Sequence, residues 1–266
     1  MRTTGAGGGG PVTWAGVTLA RAAGAYDIVS LAVPPGPAWE SARPGQFLVL
    51  PGDPARGEVL PTLLWVAEVS VDPVHGTAVD VVVPAGGGWA TGQRVRLIGP
   101  LGRGFGLPAE PVPSLLVGQG GSVVPLRWLV AVLRSKGCEV HLVLAADDPE
   151  AHLDLSPLRR QASSVVLTTP GDLLGVVAQV LDQQPGLGVV FAAGPRAAVR
   201  EVAAVSQSRG RASRVCALDL DETLLCGTGL CGQCDVPVVD PRGARTTRPC
   251  LEGPVVPGEW LVDAAR

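Results

Sequence analysis

Cys226, Cys231, Cys234 and Cys250 stand in the pattern C-x4-C-x2-C-x15-C, and no other feature limits so tightly what this chain can become. Three thiols in one short loop, answered by a fourth further on, suit a 2Fe-2S cluster held in four thiolates. A loop wrapped around an inorganic cluster turns backbone N–H groups inward and needs φ > 0 at several positions, which Gly227, Gly229 and Gly232 allow. Two other uses of four cysteines compete. Structural zinc sites usually pair one C-x2-C with a second, whereas here the fourth thiol stands alone. A disulfide framework suits small secreted domains, while this chain has 266 residues, reads as carrying no signal peptide, and holds two further isolated cysteines, Cys138 and Cys216. Those two are expected to be small buried hydrophobes outside the ligand set.

Ahead of the cysteines the chain changes rhythm once. Residues 1–10 end in four glycines and read as a flexible tail. From Val12 to about Ile98, β-branched runs alternate with Pro and Gly: Thr13–Leu19, Tyr26–Val33, Gln46–Leu50, Leu63–Val69, Ala78–Val83 and Arg94–Ile98. Six short strands at such intervals predict a small antiparallel barrel. At Ser114 an apolar strand runs into Gly118-Gln119-Gly120-Gly121, and Pro125 opens a helix through Ser135 that Gly137 ends. Strands at Val140–Ala145, Ser164–Leu167, Gly188–Ala192 and Arg214–Leu218 alternate with helices at Asp172–Leu181 and Arg196–Val205, a βαβ series that predicts a mostly parallel sheet. The turn at Gly118, Gly120 and Gly121 has the ingredients of a phosphate cradle at a helix N-terminus, without the full G-x-G-x-x-G fingerprint. An ordinary tight turn would look the same.

Composition removes several classes. No apolar run reaches the roughly 18 residues that span a bilayer, a net charge of −3 gives no reason to expect nucleic acid or an anionic membrane, and the chain is expected to be soluble and cytoplasmic. Lys136 is the only lysine, which disfavours Schiff-base and Walker-type chemistry. His75, His141 and His152 share no ligand spacing and read as structural. Trp65, Trp89 and Trp128 are expected to pack the barrel and its junction with the following domain.

Barrel, parallel domain and cysteine loop, in that order, resemble the ferredoxin-reductase superfamily, and more narrowly the electron-transfer subunits of bacterial heterotetrameric dihydroorotate dehydrogenases. The resemblance is carried by Pro44-Gly45-Gln46-Phe47, by Gly99-Pro100-Leu101-Gly102-Arg103-Gly104-Phe105, by the Val117–Leu126 glycine turn, by Gly194-Pro195, and above all by Cys250-Leu251-Glu252-Gly253-Pro254-Val255-Val256. It implies a ferredoxin-reductase-like fold: a tail at 1–10, a β-barrel FAD domain at 11–112, an α/β nucleotide domain at 113–218, and a cluster region at 219–266. It further implies Cys226, Cys231, Cys234 and Cys250 as ligands of a 2Fe-2S cluster, and FAD as a second cofactor, with NAD as a further candidate. The partner would be an FMN-containing dihydroorotate dehydrogenase catalytic subunit in a heterotetramer of pyrimidine biosynthesis, and this chain would bring no acid–base catalyst of its own.

The flavin site of that family is built on Arg-Pro-x-Ser. The matching segment here is Leu60-Pro61-Thr62-Leu63, which lacks both the Arg and the Ser. Val81, Val82 and Val83, then Gly88 and Trp89, stand where the family makes its other flavin contacts, and Gly118, Gly120 and Gly121 where it turns around a nucleotide. FAD would then rest on backbone amides, on Arg56 or on the partner subunit. An alternative reading is a non-catalytic, cluster-bearing scaffold that has lost flavin binding. A third, from Asp219-Leu220-Asp221-Glu222-Thr223, is a haloacid-dehalogenase-like phosphatase. Too little chain follows that motif, and no downstream lysine exists to complete it.

Overall fold

The structure, a computed structural model, describes residues 12–52, 59–153, 155–217 and 226–264. The expected tail at 1–10, the loop holding Arg56 and the segment with Asp219–Leu225 lie outside the described residues. Six antiparallel strands close into a barrel in the order β1-β2-β5-β4-β3-β6: β1 (Val12–Ala23), β2 (Tyr26–Val33), β3 (Phe47–Leu50), β4 (Thr62–Asp72), β5 (Gly76–Pro84) and β6 (Arg94–Leu101). Strict alternation builds it, as in β6, where Val95, Leu97 and Leu101 are buried and Arg94 and Arg96 exposed. A short helix, α1 (Pro37–Glu40), precedes β3 and buries Trp39.

The second layer is a six-stranded sheet in the order β14-β11-β10-β7-β8-β9. Strands β7 (Ser114–Gln119), β8 (Val140–Ala145), β9 (Ser164–Thr168), β10 (Val189–Ala193) and β11 (Ala212–Cys216) run parallel. Helices α2 (Val124–Ser135), α3 (Leu155–Gln161), α4 (Leu173–Gln183) and α5 (Arg196–Ser208) join them. In α2, Leu126, Leu129, Val130 and Leu133 are buried at helical spacing, and Gly137, at φ 82, ends the turn after it. β7 and β8 are apolar on both faces, as a parallel sheet covered on both sides requires.

Two elements depart from the sequence expectation. A hairpin of β12 (Val236–Asp240) and β13 (Gly243–Thr247) leads into the one-turn helix α6 (Pro249–Glu252), and β14 (Val255–Pro257) then pairs antiparallel with β11 before α7 (Gly258–Asp263). The chain after the cysteine loop is thus stitched back into the parallel sheet. One core runs through all three regions: Phe47, Trp65 and Phe105 from the barrel side meet Leu116, Phe191 and Cys216 of the sheet and Cys234 and Cys250 of the cluster region. Phe105 and Phe191 contact edge to face at 5.7 Å between ring centroids. Trp65 is fully buried, and Trp89 and Trp128 pack against the barrel cluster, as expected. Among the described residues, no helix is long and apolar enough to cross a membrane.

Candidate cluster and cofactor site

The cysteine loop folds as its glycines demand, with Gly227, Gly229 and Gly232 at φ 65, 79 and 71. At Gly229 a Cβ would run into the side chain of Leu251, so the loop packs directly on α6. The backbone N–H groups of Thr228 and Leu230 donate to Cys226 Sγ at 3.4 and 3.3 Å. On the opposite flank, Arg248 donates to the Gly229 carbonyl at 3.1 Å and pairs with Asp235 at 3.2 Å, tying α6 to the loop. Cys250 comes to the site on α6, one turn behind the β12–β13 hairpin.

The thiols fall into two pairs. Cys234 Sγ lies 3.3 Å from Cys250 Sγ, and Cys226 is hydrogen-bonded to Cys231. Burial would raise the Cys226 thiol, but N–H groups of Thr228 and Cys231 outweigh it and bring it down to about 6. The contact between Cys234 and Cys250 lowers the Cys234 thiol to about 7 against the effect of burial and pushes Cys250 up. Among the described residues, no three His, Cys, Asp or Glu side chains converge closely enough to hold one metal ion. Thiols drawn into two separate pairs do not suit a single tetrahedral zinc. They suit a two-iron cluster, whose four thiolates divide two to each iron. Cys138, at a helix-to-strand junction, and Cys216, inside an apolar strand, are both buried in the common core, as expected.

A cavity of about 820 Å³ opens between the barrel and the carboxyl ends of the parallel strands. The strand order places the topological switch between β7 and β10, the position at which open α/β sheets take ligands, and Gln119, Gly120, Gly121 and Pro195 line the cavity there. Of the sequence-nominated residues, Thr62, Leu63, Val82, Val83, Trp89, Gly120 and Gly121 line it. Leu60, Pro61, Val81, Gly88 and Gly118 do not: Leu60 is exposed, Val81 packs in the barrel interior, and a Cβ on Gly118 would meet Val123 and Leu126 beneath α2. Gly86 and Gly87, of the segment Gly86-Gly87-Gly88-Trp89 that stands at the family's second flavin element, also line the cavity, whereas Tyr26 and Asp147 line it and were missed. Asp147, just past the end of β8, was within reach of the switch-point rule, whereas Tyr26 carries no sequence signal. Among the described lining residues there is no Arg, Lys or His, and Asp147 is the only charged side chain. Size, position and apolar walls fit a flavin ring system, and among the described lining residues no side-chain cation answers a pyrophosphate.

Comparison with known proteins agrees with this geometry. Residues 221–262 match the family described as the iron-sulfur cluster binding domain of dihydroorotate dehydrogenase B. A dihydroorotate dehydrogenase B (NAD(+)) electron transfer subunit from Desulforamulus reducens is 32% identical over 178 residues, covering 64% of this chain and 66% of that one. The subunit of the same description from Geobacillus thermodenitrificans is 31% identical over 227 residues, covering 80% of this chain and 84% of that one. The chain belongs to the dihydroorotate dehydrogenase B electron transfer subunit family. Its fold is ferredoxin-reductase-like. A solved NADH-dependent reduced ferredoxin-NADP oxidoreductase superposes with a TM-score of 0.73 at 21% identity, over 92% of this chain and 88% of that one. A ferredoxin reductase of carbazole 1,9a-dioxygenase superposes with a TM-score of 0.61 at 19% identity, over 76% and 66%. Among the described lining residues of the large cavity there is no cation, and Leu60 and Leu63 stand at the positions matched to the Arg and Ser of the flavin motif.

Proposed function

We propose that this chain is the electron-transfer subunit of a cytoplasmic dihydroorotate dehydrogenase, working between FAD and the FMN of a catalytic partner subunit in a heterotetramer. Residues 11–112 would form the flavin domain, 113–218 the nucleotide domain and 219–266 the cluster region. The observation that carries this reading is the pairing of the four thiols on a loop shaped by three positive-φ glycines. When bound, FAD and a 2Fe-2S cluster supply the redox chemistry, and the polypeptide supplies spacing, solvent exclusion and potential.

Cys226 and Cys231 would take one iron, Cys234 and Cys250 the other. Cys226 and Cys234, with lowered pKa values, are poised as thiolates near neutral pH, and Cys250 gives up its proton on ligation. The N–H groups of Thr228 and Leu230 hold negative charge on Cys226. In the large cavity, Leu63, Val82 and Trp89 offer apolar surface to the flavin ring. The turn at Gly120–Val123, at the positive end of α2, offers backbone N–H groups to its phosphates.

Flavin content tests the reading. Complex purified anaerobically with its catalytic partner should release FAD on denaturation. Because no guanidinium stands among the described lining residues, FAD affinity should change by less than about threefold between low and high salt. A complex that releases no FAD leaves the scaffold alternative standing, and the lack of a cation among the described lining residues is the observation that favours that alternative.

The route from cluster to partner is marked by Leu230, which is 87% exposed beside Cys231. Leu224 and Leu225, expected to share that apolar patch, lie outside the described residues. An exposed leucine beside a redox centre suits a covered interface. Leu230→Asp should weaken association with the catalytic subunit by about tenfold or more and leave the visible spectrum of the isolated chain intact. Loss of the spectrum with unchanged association would place the interface elsewhere.

A further inference from the structure

A second concave site, of about 320 Å³, opens where the barrel, the sheet edge and the cluster region meet, and it shares no lining residue with the large cavity. Four guanidinium groups from separate segments line it: Arg43 ahead of β3, Arg103 after β6, Arg214 in β11 and Arg245 in β13. The one carboxylate in the lining, Glu252, is engaged with Arg245 at 2.6 Å, and Arg245 also holds Asp240 at 2.6 Å. Arg214 donates to the Ser213 carbonyl at 3.0 Å. Among the described residues, Arg43, Arg103 and Arg214 have no carboxylate partner. Val256 and Trp260 contribute apolar surface to the lining, and Arg245 lies over the Trp260 ring at 5.8 Å.

Three unpaired cations around one hollow repel one another and focus a positive potential into it. Guanidinium forks match carboxylate and phosphate oxygens two at a time, which an isolated lysine would not. The volume is at the low end for small-molecule sites. One turn of α-helix, about 10 Å across and about 5.4 Å long, already exceeds it.

The geometry points to a binding site for a small polyanion, a molecule with two or more phosphate or carboxylate groups. Because Arg43 and Arg103 belong to the barrel side, Arg214 to the sheet and Arg245 to the cluster region, the bound anion clamps three regions together. The proposal does not depend on flavin in the other cavity or on the identity of the catalytic partner.

The test uses the full chain with its iron in place. Tripolyphosphate and citrate are titrated separately by calorimetry at about 50 and about 300 mM NaCl. At least one should bind saturably at one per chain, raise the melting temperature, and weaken by about tenfold or more at the higher salt. The tighter of the two identifies phosphate or carboxylate as the natural chemistry. Arg103→Gln with Arg214→Gln should weaken binding by about tenfold or more at unchanged iron content, while Arg21→Gln on the exposed face of β1 should not. Arg43→Gln, whose side chain is exposed, gives the same reading should the double variant fold poorly. No saturable binding of either anion, binding insensitive to salt, or binding unchanged in the arginine variants would each overturn the proposal. So would a double variant that loses only its affinity for the catalytic subunit, which would make the groove a protein contact.

Discussion

Cys250→Ser should strip the chain of its iron, from about two per chain to near none, with loss of the visible absorbance. Cys250 is buried, sits on a single helical turn fixed by Pro249, and lies 3.3 Å from Cys234. A serine there offers a harder oxygen in place of a soft thiolate, and no other cysteine can replace it, because Cys138 and Cys216 are enclosed in the apolar core. The same logic makes Cys138→Ala and Cys216→Ala the controls, each keeping about two irons per chain. Iron and sulfide assays on anaerobically purified variants decide the matter. Iron lost from either control, or retained in Cys250→Ser, would mean a different ligand set.

Gly102→Ala should lower stability by about 2–5 kcal/mol, a left-handed backbone penalty of about 1–2 added to an overpacking cost of about 1–3. Gly102 sits at φ 78, and an added Cβ would stand 2.5 Å from the Gly253 carbonyl oxygen and 2.6 Å from Pro254 Cδ. Its neighbour Arg103 donates its N–H to that same carbonyl. This is the seam where the barrel rests on the turn after Cys250, so the variant should also release iron faster than the parent. An unchanged urea midpoint together with unchanged iron retention would show that the seam contributes nothing.

The barrel and the parallel sheet were legible in the sequence because their periods are simple. Alternation in β6 and the almost wholly apolar β8, broken only by His141, declare one strand half-buried and the other fully buried. The β12–β13 hairpin was not legible, since Pro237, Pro241 and the polar run Ala244-Arg245-Thr246-Thr247 read as loop, and only mutual pairing makes them strands. β14 is three residues long and takes its identity from β11. The four cysteines were legible as a candidate set because their spacing is fixed, and the structure brings Cys234 and Cys250 together at 3.3 Å. The large cavity was half legible. Its barrel wall and Pro195 follow from the resemblance, but Asp147 enters only through the strand order of the sheet. Val81 was misplaced because its side chain joins the barrel interior.

The antiparallel return of β14 gives the cluster region a property of its own. Cys216 pairs with Val255, and the Ala217 N–H reaches the Pro254 carbonyl at 2.8 Å. The whole excursion between them therefore leaves the sheet and comes back to a hydrogen-bonded neighbour. Its ends are held by the sheet and not by iron, so the entropy of closing that loop is met before any metal arrives. Emptying the site then melts a tethered annex and leaves the sheet standing. In the iron-free chain, amide exchange should be fast over Cys226–Gly232 and slow across β10 and β11, so the protein could be recharged without being refolded.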